Sequence, residues 1–210
     1  MVKVKICGIT NEEDALDAVA LGADAVGFIL YCKSKRYVEP KVVRKITSLL
    51  PPFVSKVGVF VNENPRNILE VMSYAGLDFA QLHGDETPQE CEYVGRSRVI
   101  KAFRVKDFKD VDKISPFIGK VRAILLDTYS PDSYGGTGKS FNWEIAKRVK
   151  ELYSEVPLIL SGGLNPENVK RAVESVRPYA VDVSSGVEER IGKKNRMLVE
   201  QFILSAKCSK

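Results

Sequence analysis

Eight short apolar runs alternate with amphipathic segments along the chain, and this alternation limits the folds that the chain can adopt. The runs are rich in Val, Ile, Leu and Phe and read VKVKICG, ADAVGFIL, SKVGVFV, FAQLHG, RVIKAF, AILLDT, LILSGG and AVDVSSG. The segments between them place apolar residues three and four positions apart, as in PENVKRAVESVRP, which is typical of helices with one buried face. We therefore expect strand and helix to repeat eight times.

Eight units in 210 residues, or roughly 26 residues per unit, predict a (β/α)8 TIM barrel, an α/β fold with a closed parallel eight-stranded sheet and outer helices. A doubly wound open sheet is the alternative, because alternation alone does not establish closure. No linker rich in proline or glycine interrupts the pattern. We therefore expect residues 1–210 to form a single barrel domain.

Local signals predict where several helices begin and end. Thr10 and Glu13 have the spacing of a capping box, and Asn165 followed by Pro166 is typical of a helix start. Gly76 follows an amphipathic segment, where a left-handed residue often ends a helix.

Charge and composition exclude several classes of function. The net charge is +5, but basic residues are interleaved with acidic ones, as in KDFKDVDK, which is typical of solvated helix faces. We therefore expect no nucleic-acid partner. The chain has a single histidine and no CxxC spacing, so the default prediction is no metal.

Features of exported and membrane proteins are absent from the sequence. No run approaches the about 20 apolar residues of a membrane helix, and MVKVKICGIT lacks the long apolar core of a secretory signal. The four cysteines show no disulfide-like spacing and are expected to be free thiols. These observations predict a cytoplasmic protein without a membrane partner.

Two reactive side chains follow predicted strands at the end where barrel enzymes carry their active sites. Cys7 ends the first run, and Asp127 ends the sixth. A thiolate and a carboxylic acid facing each other can move protons in both directions. This requires the Cys7 pKa to fall from about 8.5, helped by Arg36 or backbone dipoles, and the Asp127 pKa to rise. The alternatives are a small buried thiol at Cys7 and a loop cap at Asp127.

The last two loops have the composition of a phosphate site. SGGLNPENV, with Gly162 and Gly163, leads from the seventh run directly into an expected helix N-terminus, and SSGVEE, with Gly186, follows the eighth. Glycines let backbone N–H groups approach an anion, and barrel enzymes often bind phosphate between these two loops. The alternative is that the glycines only permit tight turns.

A glycine-rich segment after the sixth run resembles a nucleotide-binding loop without meeting its pattern. In SYGGTGKS the first required glycine is Ser133, the preceding strand ends near Thr128, and no immediate helix signal follows Lys139. The loop around Gly135–Lys139 is instead predicted to be a lid that closes over substrate.

The ordered motifs KICGIT, GFIL with KSKRY, VGVFVN, QLHGDE, LLDT, YGGTGK, LSGGLNPENV and DVSSGVE resemble those of the phosphoribosylanthranilate isomerase family over nearly the whole chain. The resemblance implies an Amadori rearrangement in tryptophan biosynthesis. In that reaction N-(5-phosphoribosyl)anthranilate, a small phosphoribosyl substrate, becomes 1-(2-carboxyphenylamino)-1-deoxyribulose 5-phosphate without a cofactor.

The resemblance also implies roles for individual residues. Cys7 would be the general base that removes the proton from sugar C2, and Asp127 the general acid that protonates the ring oxygen. Arg36 would pair with the anthranilate carboxylate, whereas His83 and Asp182 would line the mouth and orient the anthranilate part. The alternatives are a structural hydrogen-bonded His83 and an Asp182 that caps the phosphate loop.

The phosphate group would rest on backbone groups around four residues of the last two loops, Gly162, Gly163, Ser185 and Gly186.

Three other classes of protein share part of the pattern. Barrels of the histidine pathway use a pair of aspartates that work together. The indole-forming decarboxylating barrel uses lysine and glutamate. A catalytically silent phosphate-binding protein would keep the glycine loops but need neither Cys7 nor Asp127.

The segment LLPPFVSK predicts a contact between copies of the chain. It places Phe53 and Val54 in the loop before the third strand, on the face opposite the expected active site. Exposed apolar residues there would suit a two-fold interface, so a homodimer is expected.

Overall fold

The computed structural model describes residues 1–128 and 142–208 and contains a closed barrel of eight parallel strands, arranged in chain order. The barrel closes through β1 and β8, which pair from Lys3 opposite Ala180 to Ile6 opposite Val183. The predicted (β/α)8 fold is confirmed, and the open sheet is excluded. The strands are β1 Lys3–Cys7, β2 Ala25–Ile29, β3 Ser55–Phe60, β4 Phe79–Leu82, β5 Val99–Val105, β6 Ala123–Thr128, β7 Leu158–Leu160 and β8 Ala180–Val183.

Helices connect most neighbouring strands and cover the outside of the barrel. They are α1 Glu12–Ala20, α2 Pro40–Thr47, α3 Pro65–Ala75, α4 Pro88–Val94, α5 Trp143–Leu152, α6 Val169–Val176 and α7 Arg196–Lys207. The connection from β5 to β6 is a 3-10 helix, Phe108–Phe117, which contains Pro116. Pro116 lacks a backbone donor and lies one residue before the end of this segment. Among the described residues, no helix combines the length and apolar character needed to span a membrane.

Two of the predicted helix starts lie one to three residues away from the observed ones. The N-cap of α1 is Asn11 rather than Thr10, and its side chain accepts the backbone N–H three residues on. Asn168 precedes α6, whereas Asn165 lies in the turn before it. The Asn11 side chain therefore caps α1, whereas at α6 the Asn165 side chain accepts the backbone N–H groups of the turn and Asn168 makes no side-chain cap bond. The prediction for Gly76 is confirmed, because it ends α3 in the left-handed conformation with φ 66°.

A short hairpin between β8 and α7 was not predicted. A 3-10 turn at Ser185–Val187 leads into β9 Glu188–Arg190, which pairs antiparallel with β10 Lys193–Lys194. These strands of two and three polar residues have no apolar alternation that would mark them in the sequence. The hairpin matters for the site because it holds Glu188 and Lys194 beside the end of β1.

The barrel interior changes character along its axis. A small apolar cluster that includes Val57, Ile100 and Ile159 fills part of the interior. The buried polar residues Lys5 and Gln81 extend the interior toward the carboxyl ends of the strands. Because strand side chains alternate between two faces, Lys5 and Cys7 face inward while their neighbours pack against the helices. A polar chamber therefore forms at the active end of the barrel.

At the opposite end, the two residues predicted to be exposed differ. Phe53 is 97% exposed, as expected, but Val54 is only 7% exposed and belongs to the hydrophobic core. The prediction for Val54 is wrong. The backbone N–H of Val54 donates to Pro51 O and forms a turn, in which the Phe53 side chain is exposed and the Val54 side chain is buried. Of these two residues, only Phe53 is available for contact at this face.

Candidate active site

Every residue proposed for the site from the sequence lines one pocket at the carboxyl ends of the strands. The pocket brings together residues from both ends of the chain, and the ones predicted from sequence are Cys7, Arg36, His83, Asp127, Gly162, Gly163, Asp182, Ser185 and Gly186. The Gly135–Lys139 lid and the SYGGTGKS segment lie outside the described residues. Among the described residues, no group of three or more His, Cys, Asp or Glu side chains has an arrangement that would hold a metal.

The thiol of Cys7 is buried at the tip of β1. Burial raises its pKa, and the nearby Asp182 carboxylate raises it further, whereas the ammonium groups of Lys5 and Lys194 oppose this rise. The fall in the Cys7 pKa that a general base requires, for which Arg36 or backbone dipoles were the candidate causes, is therefore not found in this structure. Desolvation of the thiolate outweighs the nearby positive charge.

A buried chain of hydrogen bonds links the surroundings of Cys7 to Asp127. Lys5 Nζ donates to Asp182 Oδ1 and to Gln81 Oε1, both at 2.9 Å. Gln81 Nε2 lies 2.8 Å from His83 Nδ1, and His83 Nε2 lies 3.2 Å from Asp127 Oδ2.

The ammonium group sets the direction of this chain. Because an ammonium only donates, Gln81 must present its oxygen to Lys5 and its NH₂ group to His83. His83 Nδ1 is therefore the acceptor, and Nε2 carries the proton that points to Asp127. Both ring nitrogens of His83 are hydrogen-bonded, as the structural alternative expects, and the ring also lines the pocket.

The carboxylate of Asp127 is buried at the end of β6 and is held from two sides. Oδ1 accepts the backbone N–H of Thr128 at 2.7 Å, and Oδ2 faces His83. The cap-like bond to Thr128 agrees with the alternative considered for this residue. It leaves the carboxyl group in the wall of the pocket.

Asp182 lies deeper than a residue that merely caps a loop. Its Oδ1 binds Lys5, and its Oδ2 accepts the Ser161 hydroxyl at 3.2 Å. Both carboxylate oxygens are therefore engaged inside the barrel, and the side chain lines the pocket floor in a fixed orientation.

The guanidinium of Arg36 lines the pocket but already has a carboxylate partner. Its Nε and Nη2 donate to the two oxygens of Glu188, both at 2.7 Å, and Lys194 Nζ donates to the same carboxylate at 3.1 Å. Burial acts to raise the Glu188 pKa, but these two cations hold it below its usual value. Both of these bonds to Glu188 use Nε and Nη2 of Arg36. Nη1 donates to no acceptor in the described part of the chain, so it is available to a bound carboxylate.

The two glycine loops meet at the pocket. A side chain at Gly186 would collide with Leu164 O, so the two loops approach too closely for any other residue there. The buried Ser184 hydroxyl also lines the pocket and has no hydrogen-bond partner among the described residues. The segment SGGLNPENV leads into α6, whose first residue is Val169, and a turn at 166–168 lies between Gly163 and the helix.

Sequence reasoning missed several polar residues of the site. Lys5 and Gln81 stand two positions before Cys7 and His83, and a period of two would have placed each pair on the same inward face. Glu188 and Lys194 carried no comparable signal, since the hairpin that positions them has no recognisable pattern. The sequence predicted the reactive groups, therefore, but not the charges around them.

Comparisons with known proteins agree with this architecture. The family model for N-(5'-phosphoribosyl)anthranilate (PRA) isomerase matches residues 4–205. The chain is 53% identical over 207 residues to N-(5'-phosphoribosyl)anthranilate isomerase of Geobacter sulfurreducens, with 99% of each chain covered.

Solved structures show the same similarity in three dimensions. Phosphoribosyl anthranilate isomerase from Thermotoga maritima superimposes with a TM-score of 0.91 at 49% identity, with 99% of each chain covered. A phosphoribosyl anthranilate isomerase crystallised with reduced 1-(o-carboxyphenylamino)-1-deoxyribulose 5-phosphate has a TM-score of 0.86 at 47% identity and the same coverage. The chain described here therefore belongs to the N-(5'-phosphoribosyl)anthranilate isomerase family.

Proposed function

We propose that Cys7 is the general base and Asp127 the general acid of the isomerisation of N-(5'-phosphoribosyl)anthranilate to 1-(2-carboxyphenylamino)-1-deoxyribulose 5-phosphate. The observation that carries this proposal is that a thiol and a carboxyl group, at the tips of β1 and β6, line one buried pocket. The test is the loss of turnover in variants that remove one group at a time.

The proposed steps conserve protons. Asp127 donates a proton to the furanose ring oxygen, the bond from that oxygen to C1 breaks, and a Schiff base forms. The Cys7 thiolate then takes the proton from C2, which gives the enol form of the product. The enol becomes the ketone when its oxygen loses a proton and C1 gains one. Cys7 then holds a proton and Asp127 is ionised, so the next turnover requires a proton to leave Cys7 and one to return to Asp127. The rigid contacts of Asp127 with Thr128 and His83 support this assignment, because they fix the acid in place.

We propose that the substrate phosphate lies between the loops that contain Gly162, Gly163, Ser185 and Gly186. Three observations support this position. The loops line the same pocket as Cys7, they contact each other at Gly186, and the Ser184 hydroxyl between them is a buried group without a partner among the described residues. An anion there would accept hydrogen bonds from the loop N–H groups and from this hydroxyl.

We propose that His83 and Asp182 line the part of the pocket that receives anthranilate. Each is held by neighbours, His83 by Gln81 and Asp127, and Asp182 by Lys5 and Ser161. They would orient the substrate as fixed walls rather than as side chains that move to meet it.

The anthranilate carboxylate is proposed to bind Arg36, with Glu188 holding the guanidinium in place. Arg36→Lys is expected to raise KM about 10–100-fold, because a charge-assisted hydrogen bond contributes about 1.5–3 kcal/mol. The kcat should change less, since the contact is remote from the reacting carbons. Steady-state kinetics tests this, with the exposed Arg44→Lys as a matched control that leaves KM unchanged. An unchanged KM in Arg36→Lys would contradict the assignment.

We propose that the barrel face opposite the pocket forms a two-fold contact between copies of the chain. The fully exposed Phe53 lies at the rim of an apolar cavity of about 320 Å³ at that face, beside the half-exposed Tyr179. A two-fold interface would bury Phe53 of both copies.

Sedimentation tests the homodimer directly. The wild-type chain is expected to sediment at micromolar concentration with twice the mass of one 23.4 kDa chain. Phe53→Asp should weaken the dimer by about a hundredfold or more, since burial of each phenyl ring contributes about 1.5–3 kcal/mol. Phe108→Asp, which changes an exposed phenylalanine on the 3-10 helix, is the control. A wild-type mass of 23.4 kDa would contradict the proposal.

We propose the cytoplasm as the site of action. All four cysteines are free thiols, which suits a reducing compartment, and a phosphorylated small-molecule substrate suits a metabolic enzyme of the cell interior.

A further inference from the structure

Lys5 is a buried charge that the proposed acid–base mechanism does not itself use. It lies on β1 two residues before Cys7, so both side chains point into the barrel. Only 3% of Lys5 is exposed, and its ammonium binds Asp182 Oδ1 and Gln81 Oε1. Two of its three N–H groups are therefore occupied, and the third is available to another neighbour.

The neighbour is Cys7, and Gly27 on β2 makes the approach possible. A methyl group at Gly27 would lie 2.7 Å from Cys7 Sγ and 3.1 Å from Lys5 Nζ. The two atoms thus share the space that any side chain at position 27 would fill. Strand pairing fixes this arrangement, because Gly27 is directly opposite Cys7 in the barrel sheet.

The charges around Cys7 show what Lys5 does there. Asp182 from β8 is negative, while Lys194 from β10 and Arg36 from the loop after β2 are positive. Arg36 and Lys194 both bind Glu188, whose single negative charge offsets one of their two positive charges. Lys5 binds Asp182 directly and adjoins Cys7, so its charge acts on the thiol as well as on the carboxylate.

We propose that Lys5 is a positioning residue that stabilises the thiolate form of Cys7 for proton abstraction, a role that rests on the proposed function of Cys7. Asp182 keeps Lys5 charged throughout the reaction, because the pKa of this ammonium is raised by the carboxylate and by Cys7 despite the opposing effect of burial. Through Gln81, the same ammonium fixes the donor direction of His83 toward Asp127. One residue therefore adjoins the base and fixes the orientation of the groups around the acid.

The test measures the thiolate itself as well as activity. The ultraviolet absorbance of the Cys7 thiolate, taken as the difference between the protein and its Cys7→Ala counterpart, is followed as pH rises. Lys5→Met removes a nearby positive charge, so its Cys7 midpoint should move to higher pH by about one unit or more. The limb of the kcat/KM profile that belongs to Cys7 should move with it. At neutral pH kcat/KM should fall at least about tenfold, as the thiolate fraction falls tenfold per unit.

Lys101→Met is the matched control. Lys101 is also buried and bound to a carboxylate, Glu86, at 2.9 Å, but it lies on the outward face of β5, between the sheet and the outer segments, and does not adjoin Cys7. Its replacement removes a buried ion pair of the same kind, so it should destabilise the fold similarly and leave the Cys7 midpoint unchanged. An unchanged midpoint in Lys5→Met, or an equal shift in Lys101→Met, would overturn the proposal.

A second pair of variants covers the case in which Lys5→Met does not fold. The double variant Lys5→Met with Asp182→Asn leaves no unpaired buried charge, and its Cys7 midpoint is compared with that of Asp182→Asn alone. A higher midpoint in the double variant supports the proposal, and equal midpoints refute it. The absorbance titration does not depend on turnover. A shifted midpoint together with full activity in Cys7→Ala would therefore refute the function of Cys7 rather than its contact with Lys5.

Discussion

Replacement of Cys7 by alanine is expected to reduce kcat about 10²–10⁴-fold, the usual contribution of a general base. The substitution removes the only thiol in the described pocket and changes little else, because the side chain is small and forms no part of the buried hydrogen-bond chain from Lys5 to Asp127. The loss should therefore appear in the chemical step. Steady-state and single-turnover kinetics measure it.

Binding separates a lost base from a damaged pocket. Cys7→Ala should bind reduced 1-(o-carboxyphenylamino)-1-deoxyribulose 5-phosphate, a stable analogue of the product, with nearly wild-type affinity. Cys32→Ala, which replaces an exposed free cysteine, should retain full turnover and serves as the control. Turnover by Cys7→Ala within a factor of about two of wild type would exclude Cys7 as the base.

Asp127→Asn is expected to lower kcat by a similar factor of about 10²–10⁴, for the complementary reason. Asparagine has nearly the same shape, and its carbonyl oxygen still accepts the Thr128 N–H bond. Its NH₂ group replaces the oxygen that accepts from His83 Nε2, and it has no acidic proton for the ring oxygen. Ring opening should then limit the rate. Rapid mixing of the variant with substrate should show bound but unopened substrate.

The control for Asp127→Asn is Asp112→Asn, which makes the same chemical change on the exposed side of the 3-10 helix. It should leave both kcat and KM unchanged. If Asp127→Asn keeps wild-type kcat, another group must protonate the ring oxygen, and the proposed acid would be wrong.

The polar interior explains why the barrel is arranged as it is. Buried ion pairs such as Lys5 with Asp182 and Lys101 with Glu86 contribute little net stability, because desolvation offsets their attraction. The apolar contacts with the outer helices have to stabilise the fold instead. This division leaves the carboxyl ends of the strands free to hold charges close together, which a proton-transfer reaction requires.

The fold was predictable because it depends on periodicity that the sequence carries openly. Eight apolar runs implied eight strands, and the position of Cys7 and Asp127 at the ends of two runs implied that they would meet at one face. The hairpin at Glu188–Lys194 was not predictable, since polar strands of two and three residues have no period to recognise. Its position depends on tertiary contacts, such as the Arg36–Glu188 pair.

The electrostatic properties of the site were harder to predict than the identity of its residues. The pKa of Cys7 depends on burial and on Lys5, Asp182 and Lys194 together, and three separate elements bring these residues to it. Arg36 was correctly placed at the pocket, but its pairing with Glu188 required the fold of the hairpin. Likewise, the exposure of Phe53 and the burial of Val54 depend on a turn that the sequence does not announce.

The most direct test of the account is a fluorescence assay of freshly generated N-(5'-phosphoribosyl)anthranilate with the wild type, Cys7→Ala and Asp127→Asn side by side. We expect rapid conversion by the wild type. Both variants should lose nearly all turnover and still bind the product analogue. If the wild type binds the phosphorylated substrate but does not convert it, or if either variant turns over at the wild-type rate, the proposed acid–base pair is wrong.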